Sequence, residues 1–138
     1  MCGVFFRLSQ KVIKIPTQSN LMGTGCAPLQ AQASVGLLTN SQAASGATQG
    51  AQPLLSDFVV FTSGTVNTGP TLPATGPQCN AGDNFIIVNH SGVAMSVFPP
   101  TGGKIANGTV NTAFSVPNNK TGFFLSIGSN NFAASLSA

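Results

Sequence analysis

Few residues in this chain have side chains suited to chemistry, and each can be weighed in turn. Pro99-Pro100-Thr101-Gly102-Gly103-Lys104 has the composition of a phosphate-gripping loop, with glycines that free backbone N–H groups and a lysine to meet an anion. A P-loop, however, needs GxxxxGK followed by Ser or Thr, set between a strand and a helix. Here Lys104 is followed by Ile105 and then by another strand-like run, so no helix N-terminus stands ready to hold an anion. A tight turn, with proline fixing φ and glycine free to take positive φ, accounts for the same residues. His90, the one histidine, precedes Ser91, but neighbours on a strand point to opposite faces. Asp57 and Asp83 are the two carboxylates that could orient the ring in a triad. Asp83, in Ala81-Gly82-Asp83-Asn84-Phe85, reads better as a turn residue whose carboxylate accepts nearby backbone N–H groups. Cys2, Cys26 and Cys79 lack the paired spacing of a zinc site, and an odd count argues against a disulfide framework. They read as inert free thiols. No catalytic residue, metal site or cofactor is assigned.

The scaffold around these residues is unusual in its charge. Arg7, Lys11, Lys14, Lys104, Lys120, Asp57 and Asp83 make up 5% of the 138 residues, where about a quarter is usual. The polar surface must therefore come from Ser, Thr, Asn, Gln and backbone, and its contacts should depend weakly on salt. With 42% hydrophobic residues and ten Phe, the chain has the apolar content to fold, which a disordered segment lacks. Three of the five basic residues fall in the first fourteen positions. Three cations release too few counterions for tight non-specific binding and no aromatic stacking platform follows them, so direct nucleic-acid binding is not expected. The apolar run from Cys2 to Phe6 is too short for a secretory leader, and no stretch approaches the length of a membrane span.

Residues 1–50 read as an extended arm or linker. Val4, Phe6 and Leu8 alternate, Lys11-Val12-Ile13-Lys14-Ile15 suggests a short strand, and residues 21–53 are rich in Ala, Gln, Ser, Gly and Thr without a sustained period. A short helix over residues 29–38 is conceivable, weakened by Gly36 by about 1 kcal/mol. Residues 51–138 read as a β domain. Short β-branched and aromatic runs at 54–64, 84–90, 94–99, 112–117 and 121–129 are each bounded by Gly, Pro, Asn or Ser. Their spacing predicts an all-β fold, a small antiparallel β-sandwich or jelly-roll-like barrel with an extended N-terminal arm. Val88 to Val97 is the best hairpin candidate, turning at His90-Ser91-Gly92. All ten aromatics are Phe. Phe58, Phe61, Phe85, Phe98, Phe114, Phe123 and Phe124 are expected in the core or a subunit interface, and the missing Tyr and Trp argue against sugar stacking.

An internal echo supports a repeated scaffold. GTVNTGPTLP (64–73) and GTVNTAFSVP (108–117) share five residues, then a hydroxyl residue, an aliphatic and Pro at matched offsets. The echo predicts two related hairpins, each a Thr/Val strand ending at the proline, where a ladder N–H is not needed, followed by an apolar return strand.

From Leu72 onward the sequence resembles a small β module of tailed-bacteriophage virion proteins. The matching positions are Leu72-Pro73, Gly82-Asp83, Val88-Asn89, Val97-Phe98-Pro99, Thr101-Gly102, Ile105 and Lys120, while Asn119 replaces a usual glycine and Asn131-Phe132 a usual Trp region. Such modules occur in capsid decoration (cement) proteins and in fibre-type proteins. The resemblance implies a structural role without catalytic residues. Taken with the basic-apolar start and the featureless arm, it leads to the expectation of a decoration protein assembled in the host cytoplasm, carried on the capsid exterior, and bound as a homotrimer to the major capsid protein. The expected capsid contacts lie in the arm, with Val4, Phe5, Phe6, Val12 and Ile13 burying apolar area and Arg7, Lys11 and Lys14 meeting capsid carboxylates. The alternative is a tail-fibre or adhesion module that binds a host-surface glycan through loops such as 99–104. A small hydrolase using His90 with Ser91 or an Asp is a third possibility.

Overall fold

In a computed structural model, residues 38–77 and 79–138 are described. They form eight strands: β1 (Leu38–Ala44), β2 (Phe58–Gly64), β3 (Asn84–Asn89), β4 (Met95–Val97), β5 (Lys104–Ile105), β6 (Phe114–Val116), β7 (Lys120–Gly128) and β8 (Asn131–Leu136). Among the described residues there is no helix. Six strands make one sheet in the order β1-β2-β3-β7-β8-β5, and β4 pairs with β6 in a second.

The second layer is wider than its two named strands. Ser96 N donates to Thr68 O (3.2 Å), Phe98 N to Pro70 O (2.9 Å) and Leu72 N to Phe98 O (2.9 Å), so residues 68–72 run parallel along one edge of β4. Thr71 N in turn donates to Gln52 O (2.7 Å) and Leu54 N to Thr71 O (2.9 Å). On the other edge of β4, Met95, Ser96 and Val97 pair antiparallel with Val116, Ser115 and Phe114. The chain shuttles between the layers, because residues 52–54 lie between β1 and β2, and residues 68–72 between β2 and β3. Parallel neighbours need a crossover that leaves the sheet and returns. Here extended chain in the opposite layer serves, and β1-β2-β3 are accordingly parallel.

The all-β sandwich expected from the strand spacing is the fold found. Its strand directions are mixed: β3-β7-β8 are antiparallel, whereas β1-β2-β3 and β5-β8 are parallel. The core lies between the layers. Val59, Phe61, Phe85, Ile87, Phe124 and Phe132 face inward from the large sheet, and Leu54, Leu72, Met95, Val97 and Val116 meet them from the other side. Alternation along each strand produces this, since every second residue of β3 and β7 is buried. Phe114 reaches across to Phe124 edge to face, with ring centroids 5.7 Å apart and planes at 86°. Gly122 lies on the inner face, where an added Cβ would meet the Phe124 ring at 2.7 Å and Val116 Cγ2 at 3.1 Å.

Two further expectations change. The arm does not extend to residue 50: Leu38–Ala44 is an edge strand of the main sheet. It is polar and largely exposed, so it carries no period-2 apolar signal. The Val88–Val97 segment is no hairpin either, since β3 pairs with β2 and β7 while β4 joins the other layer. Asn89 is the cause. Fully buried, its side-chain amide donates to Val93 O and Val116 O, both at 2.8 Å, while Oδ1 accepts from Ser91 N at 3.0 Å. These bonds turn the chain out of one sheet and into the next, with Gly92 at φ 87°.

Candidate interaction surfaces

Val4, Phe5, Phe6, Arg7, Lys11, Val12, Ile13 and Lys14, the expected partner contacts, lie outside the described residues. The other sequence candidates can be placed.

The 99–104 loop is a turn held by bonds to its backbone groups. Gly103 N donates to Pro100 O (2.9 Å) with Gly102 at φ 80°, as a type II turn requires. Gly102 N donates to Asn111 Oδ1 (2.7 Å), and Gln49 Nε2 donates to Pro99 O (2.6 Å). Gly103 is packed so closely that an added Cβ would sit 2.0 Å from Asn130 O. Lys104 is exposed at the start of β5.

His90 is exposed, and its Nδ1 lies 3.3 Å from Asn119 Oδ1, an amide oxygen. Ser91 Oγ turns away from it and donates to Asn89 Oδ1 at 2.7 Å. The two neighbours are thus held in separate hydrogen-bond groups, and a nucleophile–base pair is not assembled. Asp83 is the turn residue its sequence suggested, its Oδ2 accepting from Asn80 N at 2.8 Å. Among the described residues, no three His, Cys, Asp or Glu gather closely enough to hold a metal ion. Cys79 is a buried free thiol.

The repeated GTVNT is a turn rather than a strand. Thr68 N donates to Thr65 O (3.1 Å) and Thr112 N to Thr109 O (3.2 Å), and the asparagines between them take positive φ. The residues that follow each copy then flank β4 from opposite edges, 68–72 in parallel and β6 antiparallel. The two related hairpins expected from the echo are therefore two related turns feeding one shared central strand.

The remaining feature is the outer face of the large sheet, which sequence inspection did not single out. Leu38, Phe58, Ile86, Phe123 and Ser135 are register partners in one row across five strands. Val60 pairs with Val88 above it, and Leu125 joins Asn84 and Ala133 below. Leu38 is 59% exposed, Phe123 43%, Leu125 38% and Ile127 58%. A sheet facing only water would carry polar residues here. The signal was legible in the runs Phe58-Val59-Val60-Phe61, Phe85-Ile86-Ile87-Val88 and Phe123-Phe124-Leu125, which are apolar at successive positions and so apolar on both faces.

No family model matches the chain, and neither a curated protein nor a solved structure matches it.

Proposed function

We propose that the chain is a structural virion protein of a tailed bacteriophage: a capsid cement that binds the outside of the head as a homotrimer and stabilises contacts between major capsid subunits. The observation that carries this reading is where the resembling residues sit. Leu72, Val97 and Ile105 are buried core residues, Leu72 N bonds to Phe98 O, Thr101-Gly102 form the turn, and Asn89 pairs with Lys120 across β3-β7. Pieces of the motif distant in sequence thus meet to build one sandwich, as a scaffold signature should, and none of them forms a chemical site. A structural role, with no catalytic residues assigned, is part of this proposal. The β domain presents a nearly uncharged surface, and residues 1–20 supply the apolar and basic contacts to neighbouring capsid subunits. The glycan-binding alternative relies on loop 99–104, whose backbone groups are committed to the turn and to Gln49 and Asn111.

Co-sedimentation with capsids lacking the protein tests the arm. Deleting residues 1–20 is expected to abolish binding while the β domain keeps its circular dichroism spectrum. Retained binding would overturn the assignment of the arm as the clamp.

A further inference from the structure

We infer that the outer face of the β1-β2-β3-β7-β8 sheet is a self-association surface, whose occupant is the same face of another copy of this chain. Three features of the face favour a second copy. The first is shape. On β7, Phe123, Leu125 and Ile127 project as a ridge, and beside it β8 presents the small residues Ala133 and Ser135 at the register positions opposite Leu125 and Phe123. Asn84, Phe123, Leu125, Ala133 and Ser135 line the resulting depression, of ≈ 320 Å³. A face that carries both a ridge and a groove can seat the ridge of one copy in the groove of the next, which is the requirement for a closed symmetric assembly.

The second is charge. Of Asp57, Asp83, Lys104 and Lys120, the charged residues of the described chain, Lys104 alone falls at an outward position of the sheet, and it lies on the edge strand β5. Two identical faces therefore meet without like charges opposing each other, which a face built to bind a charged partner would not ensure. The third is area. Five strands about 4.8 Å apart, each about 17–20 Å long, give a face of roughly 400–500 Å² in projection, so a facing pair removes on the order of 1,000 Å² from water, about the least a specific interface needs.

The inference concerns the free protein and stands apart from capsid binding. Native mass spectrometry and sedimentation of the full chain at tens of micromolar, without capsids, are expected to show a discrete oligomer. The double variant Leu125→Lys/Ile127→Lys, both on exposed positions, should fall to the single-chain mass with an unchanged circular dichroism spectrum. Val66→Lys/Val110→Lys, on the exposed repeat turns away from this face, should remain oligomeric. Hydroxyl-radical footprinting of the wild type, which needs no variant, should find Phe123, Leu125 and Ile127 protected. A monomeric wild type would overturn the inference, and so would an oligomer that survives the lysine pair or leaves these residues open to oxidation. A monomer with protected residues would assign the face to a segment of the same chain instead. A dimer would support self-association while contradicting the trimer of the proposed function.

Discussion

Asn67 and Asn111 occupy the same place in the two GTVNT copies and hold the same left-handed backbone, with φ of 65° and 63°. Their side chains differ in use: Asn111 Oδ1 accepts from Gly102 N at 2.7 Å and from Gln49 Nε2 at 3.2 Å, binding the second repeat turn to the 99–104 turn. Asn tolerates this conformation better than other non-glycine residues. Asn67→Ala is therefore expected to cost about 1 kcal/mol and Asn67→Gly almost nothing. Asn111→Ala should cost about 2–3 kcal/mol, because it adds a lost hydrogen bond to the same strain. Urea unfolding of the three variants checks the order; equal losses at 67 and 111 would show that the Gly102 contact contributes nothing.

Asn89 directs the chain from β3 to the second layer, and all its side-chain bonds are made inside the protein. Asn89→Ala removes the side-chain donors to Val93 O and Val116 O and the acceptor of Ser91 N and Ser91 Oγ, at a cost of about 3 kcal/mol. Asn89→Asp, which keeps the shape but cannot donate to Val93 O or Val116 O, should be at least as damaging. An Asp variant with wild-type denaturation midpoint would contradict the corner as described.

Ser126 offers the opposite case. Its Oγ is buried without a hydrogen-bond partner, so Ser126→Ala removes a desolvated hydroxyl and should be neutral or stabilising by up to about 1 kcal/mol. A loss larger than 1 kcal/mol in thermal or urea unfolding would count against it.

Gly69 lies under β4, and a Cβ there would come within 2.1 Å of Ser96 O and 2.7 Å of Met95 Cγ. Gly69→Ala must push the first repeat copy off β4 and is expected to cost about 3 kcal/mol. Gly50, whose Cβ position is open but whose φ is 83°, should lose only about 1 kcal/mol on the same change. Comparable losses at both sites would mean that the β4 seam is not tightly packed.

What was legible in the sequence follows from which strands bury one whole edge of their pattern. β2, β3, β4, β6 and β7 carry Phe, Ile and Val at inward positions and are visible as apolar runs. β1 is a polar edge strand, β5 has two residues, and β8 buries one large side chain, Phe132, among Ala and Ser, so none of the three has a run to find. The β7–β8 hairpin did carry a local sign. Ser129 and Asn130 both take positive φ, as a two-residue type I′ turn requires, but Gly128-Ser129-Asn130-Asn131 lacks the Asn-Gly pair that usually marks one. The repeat was legible and its geometry was not, because Thr and Val suggest strand while the turn is set by one Asn backbone. The outer apolar face was present in the same runs that gave the core; only the register between strands shows that Phe123, Ile86 and Phe58 form one row.

The proposed place of this sandwich on a phage head is tested most directly by counting and locating the chain in purified virions. Quantitative mass spectrometry against the major capsid protein, with immunogold labelling or electron microscopy of the same particles, should find it on the outer head surface at a copy number commensurate with the capsid lattice. Finding it at the tail alone, or at a few copies per particle, would contradict the cement function.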